Sequence, residues 1–278
     1  MSLLWILVLS VFFVPVIGQE DQDQELFEAA MQQLGTLENA SMAGLVAEAG
    51  RFFLGTPYVA QTLEHPDSQG REQLVINLRA LDCTTLVENC LALARTFHSG
   101  EHSLARFSAE LQHIRYRQGK LDGYASRLHY FAEWISDNAS MGVVKQVFAL
   151  PGEQKIHKTI SFMSSHPEAY PALSGNAALV EQIALQEKEL SDREYHYLPE
   201  EEAQNWMGGL LEGDLVAFNT SIKGLAISHV GLVVMKEGEV HVLHASSASG
   251  KVVVSDLSLA DYLEKHKPTT GIMLLRPM

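Results

Sequence analysis

Apolar residues change their spacing part-way along this chain, and that change restricts the fold more than any other feature. Between residues 25 and 51 the positions Leu26, Ala29, Ala30, Leu34, Met42, Leu45, Val46 and Ala49 recur at helical intervals broken at Gly35, which predicts two short helices. A stronger helix is predicted over 84–97, opened by Cys83 and ended by Gly100, and helical spacing returns over 104–116, 127–137 and 177–190. Residues 74–81 read as extended or short helical, and Pro151, Pro167, Pro171 and Gly175 punctuate the stretch before 177. Beyond residue 210 the pattern becomes short β-rich runs, 215–218, 227–235, 240–245, 252–254 and 272–275, separated by glycine-containing turns. Helices first and strands afterwards predict an α+β domain built on an antiparallel sheet. There is no internal repeat and no low-complexity tract. With 278 residues and 46% hydrophobic content the chain can bury a sizeable core, and one domain over 19–278 is expected.

The first eighteen residues carry no charged side chain, and 3–17 is an almost unbroken apolar run followed at once by a polar stretch, 19–25. This reads as the hydrophobic region of a signal peptide covering 1–18, cut after Gly18, although no Lys or Arg lies near Met1. A spanning helix needs ~20 apolar residues; this run has fifteen and contains Pro15, so a retained anchor is the weaker reading. The expectation is an exported protein, periplasmic or extracellular, with no stable membrane span after cleavage. Thirty-four acidic residues against twenty Lys plus Arg leave a net charge of −14, which argues against nucleic acid as a partner.

Two cysteines occur, Cys83 and Cys90. On one helix they would stand two turns, ~10.5 Å, apart along the axis, beyond the ~7 Å that a disulfide tolerates between Cα atoms. An exported protein that keeps free thiols points to chemistry at one of them. Asp82-Cys83-Thr84-Thr85 puts the Cys83 sulfur at a helix N-terminus, where free N–H groups and the dipole are expected to lower its pKa. On position alone, a small buried hydrophobe is an equally good reading of Cys83. Cys90, among Leu91, Ala92 and Leu93, reads as core.

A thiolate nucleophile needs an imidazole partner. Among twelve histidines, His229 is distinctive because Ser228-His229-Val230-Gly231 sets it in an apolar strand beside a glycine that permits close approach, although a lone histidine there is more often a core residue. If Glu237-Gly238 centres a symmetric hairpin loop, His244 lies opposite Gly231 and shares a face with His229, ~7–8 Å away between Cα atoms. His241 faces the other way, so His244 is the better orienting group. Zinc is the weaker reading: His241 and His244 point to opposite faces of a strand, and the chain has neither H-E-x-x-H nor C-x-x-C.

Gly55-Thr56-Pro57-Tyr58, Asp82-Cys83-Thr84, Gly213-Asp214-Leu215-Val216-Ala217-Phe218, Ser228-His229-Val230-Gly231-Leu232-Val233 and His244-Ala245-Ser246 occur in the order seen in NlpC-type cell-wall cysteine peptidases, which this chain resembles. Asp82 to Glu88, Ile114-Arg115-Tyr116-Arg117, Ser126-Arg127-Leu128-His129-Tyr130, His229 and Leu243-His244-Ala245-Ser246-Ser247 resemble more closely one subgroup, the N-acetylmuramoyl-L-alanine amidase-like family, once a domain of unknown function. The resemblance implies a papain-like fold with Cys83 as nucleophile, His229 as base, His244 as third member and Tyr58 beside the nucleophile, helping the oxyanion. It implies a peptidoglycan or muropeptide substrate, cleavage of the amide between N-acetylmuramic acid and L-alanine, and no cofactor. Asp-Cys-Thr-Thr replaces the commoner Asp-Cys-Ser, and 101–205 forms a longer, helical insertion than in simple members, expected to build specificity walls.

Within that insertion, residues 106–127 hold five basic residues, Arg106, Arg115, Arg117, Lys120 and Arg127, and two acidic ones, Glu110 and Asp122, against the acidic balance of the whole. With Tyr116, Tyr124, Tyr130 and Trp134 interleaved, the segment reads as a groove that stacks on sugars and grips carboxylates. Arg115, Arg117, Arg127, Tyr130, Trp134 and Ser228 are the expected substrate contacts, and a solvated helix face with salt bridges is the plain alternative. Rival functions are a stem-peptide endopeptidase, a thiol acyltransferase, and a wall-binding module without catalysis; Cys83, His229 and His244 together argue against the last.

Overall fold

A computed structural model describes residues 18–278 apart from Ala149, so the apolar segment 3–17 lies outside the described residues. Helices α1 (Gln19–Leu34) and α2 (Met42–Phe52) form the expected opening pair. Next come α3 (Cys83–His98) and α4 (Leu104–Arg115), with α5 (Phe131–Ser140) after an irregular stretch. Strands β1 (Val144–Gln146) and β2 (Gln154–His157), the short α6 (Phe162–Ser165), α7 (Ala177–Ser191), β3 (Glu194–Pro199) and α8 (Ala203–Trp206) follow. The last third supplies β4 (Leu215–Thr220), β5 (Ile227–Lys236), β6 (Glu239–Ser246), β7 (Lys251–Val254), α9 (Leu259–Lys265) and β8 (Thr269–Pro277).

All eight strands join one antiparallel sheet in the order β2-β3-β8-β4-β5-β6-β7, with β1 also on β8. The fold is therefore mixed α+β on an antiparallel sheet, but the segment 101–205 is not purely helical, since it contributes β1, β2 and β3. These strands are short, and Gln154-Lys155-Ile156-His157 has no fully buried residue, so they lack the apolar alternation that marks a half-buried strand. Residues 127–130 are extended rather than helical: Arg127 bridges to Tyr116, and the helix begins only at Phe131. Residues 74–81 form no regular element; the Asp23 carboxylate accepts the Leu78 N–H at 2.8 Å instead.

Alternation along β4 divides the interior. Leu215 and Ala217 enter the larger core with α1–α5, whereas Val216 and Phe218 enter a smaller one with Trp206, Tyr262 and Leu263. Buried on both faces, β4 reads as a continuous apolar run. Helix α3 runs through the larger core, with Leu86, Val87, Cys90, Leu91 and Leu93 fully buried. Its start is specified locally: the Asp82 carboxylate accepts the Thr85 N–H at 2.8 Å while the Thr85 hydroxyl accepts the Asp82 N–H at 2.9 Å. That reciprocal cap makes Cys83 the first residue of the helix.

Candidate active site

The β5–β6 hairpin turns on Glu237 and Gly238, both at positive φ (55° and 86°), as a two-residue turn of this hand requires. Leu232 pairs with Leu243 and Lys236 with Glu239, the register expected from such a loop. His229 and His244 consequently share a face and their rings meet, Nε2 of His229 lying 2.8 Å from Nδ1 of His244, with the planes at 82°. Gly231 permits the approach, because a Cβ there would stand 2.9 Å from the Leu243 carbonyl oxygen and 3.2 Å from the His244 Cβ. His241 pairs with Val234 and turns away, binding the Ser255 carbonyl at 2.8 Å. Between β4 and β5, Phe218 stands opposite His229 but Asn219 opposite Ile227, so Ser228 is the extra residue of a bulge that re-aims the chain beside His229.

Cys83 and His229 line one cavity of about 160 Å3, together with Ser228, His129, Tyr130 and Tyr170. The backbone of Val230 and both the side chain and backbone of Thr84 favour the thiolate form of Cys83. These contributions do not make it acidic: burial pushes the thiol up to about 11, and the neighbouring Asp82 carboxylate adds to the rise. The expectation of a lowered thiol pKa is thus corrected, since desolvation outweighs the helix terminus. Burial pushes His229 down to about 3, helped by His244 and His266, and His244 down to about 4. Both shifts favour the uncharged forms, a thiol and a neutral imidazole. Nε2 of His229 is engaged by His244, and its Nδ1 lies outside that contact.

Tyr58 sits in the loop before α3, its N–H donating to the Gly250 carbonyl at 2.9 Å. Its phenol is raised by burial first and then by Cys83, which places it in the field of the thiol. Tyr262 on α9 escaped the sequence reading. It meets His244 edge-on at 5.5 Å and stacks on His266 at 3.8 Å, and burial together with Cys83 pushes its phenol up to about 12. One tyrosine in a short amphipathic stretch carries no signal that separates it from core.

Among the described residues, the arginines expected to line a basic groove are paired internally instead. Arg115 is 2% exposed, with Nε 2.7 Å from Glu88 and Nη1 2.6 Å from the Val75 carbonyl. Arg117 holds Glu133 at 2.8 Å, and Arg127 lies between Glu64 at 2.6 Å and Glu72 at 3.2 Å. Trp134 is fully buried against Phe131, unavailable to a sugar. Tyr130 does line the cavity, but its hydroxyl donates to Glu187 at 2.5 Å and accepts the Met163 N–H at 2.8 Å. Ser228 is exposed and lines the cavity. Among the described residues no group of three or more His, Cys, Asp or Glu could hold a metal ion, and no helix is long and apolar enough to cross a membrane.

Residues 48–272 match the family described as AmiA-like, N-acetylmuramoyl-L-alanine amidase-like. The chain belongs to this amidase-like family. It is similar to the crystal structure of an N-acetylmuramoyl-L-alanine amidase from Bacteroides uniformis, at 37% identity and a TM-score of 0.80 over 86% of this chain and 100% of that one. A Bacteroides fragilis structure described as a putative xylanase is 42% identical, with a TM-score of 0.74 over 82% of this chain and 99% of that one. A Legionella pneumophila protein at 21% identity shares the fold, with a TM-score of 0.71 over 94% of this chain and 97% of that one. No curated relative matches the chain. The amidase-like description fits the cavity better than glycoside hydrolysis, which uses two carboxylates flanking the bond. None of the described residues lining the cavity with Cys83 is Asp or Glu.

Proposed function

We propose that the chain is a papain-like, NlpC-type cysteine hydrolase that cleaves the amide between the lactyl group of N-acetylmuramic acid and L-alanine. The observation that carries this reading is the 2.8 Å contact between His229 and His244 beside the cavity shared with Cys83. His229 donates its Nε2–H to His244, which fixes the tautomer and leaves the Nδ1 lone pair for the Cys83 proton. As that proton moves to Nδ1, sulfur bonds to the lactyl carbonyl carbon. The imidazolium then returns the proton to the alanine nitrogen, the C–N bond breaks, and a thioester remains. Water deprotonated by His229 releases the lactyl carboxylate and restores the thiol. Tyr58, whose phenol is raised in part by Cys83, is assigned to assist the oxyanion. Because both partners start neutral, charge develops only as bonds change.

The apolar start of the sequence and membership of a cell-wall amidase-like family support export. Mass analysis of products from a disaccharide-tetrapeptide tests the bond: a sugar with a free lactyl carboxylate and a peptide beginning with L-alanine are expected. Disaccharide still carrying L-alanine would replace this reading with a stem-peptide endopeptidase.

A further inference from the structure

Ser126-Arg127-Leu128-His129-Tyr130 stands beside the proposed triad without belonging to it. In this run His129 alone is partly exposed while Ser126, Arg127, Leu128 and Tyr130 are buried, and His129 lines the cavity that holds Cys83 and His229. Its Nε2 lies 2.8 Å from the carbonyl oxygen of Tyr124. A carbonyl only accepts, so Nε2 carries the hydrogen and, in the neutral ring, Nδ1 keeps its lone pair. Burial holds the ring neutral, pushing it down to about 3, with the charges of Arg127 and Arg117 acting the same way. Among the described residues no hydrogen bond engages Nδ1, and the residue is partly exposed.

The ring is also held from behind. It packs on Tyr124 with centroids 4.3 Å apart, and the Arg127 guanidinium lies 4.9 Å over the same tyrosine. Arg127 is clasped by Glu64 and Glu72, while Arg117 and Gln186 donate to the Ala125 carbonyl at 2.9 and 3.0 Å. These ion pairs, which withdraw the arginines from substrate, support a ring that forms part of the wall of a cavity lined also by Leu128, Phe131, Met163, Leu225 and Ile227. A substrate donor placed against such walls would go unsatisfied without a partner.

We propose that Nδ1 of His129 is a specificity-determining acceptor that takes a hydrogen bond from an N–H or O–H of the muropeptide lodged beside Cys83. The ligand assignment rests on the amidase reading above; the bare nitrogen does not. The donor belongs either to the sugar or to the peptide, and the test separates them. His129→Phe keeps the stacking and removes the acceptor, whereas His129→Asn returns an oxygen close to the position of Nδ1. On a disaccharide-tetrapeptide, His129→Phe is expected to lower kcat/KM by roughly 10- to 100-fold and His129→Asn by much less. The Phe penalty disappears on a sugar-free D-lactyl-tetrapeptide if the sugar is the donor. It disappears on the disaccharide-tetrapeptide N-methylated at the amide after L-alanine if the peptide is. A His129→Phe enzyme within twofold of wild type, or a penalty undiminished on both blocked probes, overturns the proposal. Imidazole 15N NMR of the free protein is expected to show Nε2 protonated and Nδ1 bare at neutral pH; the opposite tautomer overturns it whatever the turnover. Wild-type protein that shows the bare Nδ1 but leaves the lactyl amide uncut would overturn the amidase reading and with it the ligand assignment.

Discussion

The β5–β6 hairpin and the segment 115–134 both carry chemistry-bearing side chains, yet they respond to sequence reasoning in opposite ways. In the hairpin, a two-residue loop and a period of two place His229 against His244, and the rings meet at 2.8 Å. In the segment, arginines and aromatics that read as a substrate groove turn inward: Arg115 to Glu88, Arg117 to Glu133, Arg127 to Glu64 and Glu72, and Trp134 into the core. Strand register is a local property, propagated residue by residue from a turn. The partner of an arginine is not local, and a fold that buries one must bring its carboxylate from elsewhere. On the proposed reading the hairpin carries the chemistry and the segment holds the wall around it.

The largest effect should come from breaking the chemistry itself. Cys83→Ala or His229→Ala is expected to reduce turnover by on the order of 10⁴-fold or more, with unfolding midpoints close to wild type. Cys90→Ala should keep the rate and cost roughly 1–2 kcal/mol as a core truncation. Full activity in Cys83→Ala would transfer the nucleophile to another residue.

On the other side of the comparison, Arg115→Met should leave Glu88 buried without its partner and destabilise the protein by roughly 3–5 kcal/mol, read by urea unfolding. Adding Glu88→Gln should recover part of that loss, and kcat/KM of the folded fraction should hardly move. A raised KM with unchanged stability would return Arg115 to the substrate. Within the hairpin, His244→Ala is expected to lower kcat by about 10²-fold or more, with Asn or Gln recovering part of it. His241→Ala should be mild, and equal damage at the two positions would break the facing argument.

The smallest and most graded effects are those of pH. His129, His229 and His244 are held at about 3, 3 and 4, below their unfolded value. Between ~6.5 and those values the unfolded chain binds more protons, so stability is complete above ~6.5 and falls as pH drops, by up to ~1.4 kcal/mol per pH unit for each histidine. Unfolding midpoints at pH 7, 5.5 and 4 should track that loss, and His129→Phe should shrink it. Cys83, pushed up to about 11, should be alkylated by iodoacetamide about tenfold faster per pH unit between 7 and 9. A fast, pH-independent rate would mean a resting ion pair.

Several features were determined by sequence alone because neighbours along the chain decide them. The Asp82–Thr85 cap starts α3 at Cys83, apolar neighbours bury Cys90, and the Glu237-Gly238 turn sets the facing of His229, His244 and His241. The α+β class followed from the change of period, but the short strands β1, β2 and β3 did not, because three to six mixed residues leave too little alternation to read. Only the tertiary structure set the thiol pKa, since the helix terminus is visible in sequence and the burial that outweighs it is not. It alone also joined Arg115 to Glu88 across 27 residues and Arg127 to Glu64 across 63, and brought Tyr262 to His244 and His129 to Cys83. Desolvation and long-range pairing depend on where the whole chain places its mass and charge, and no local window of sequence contains that information.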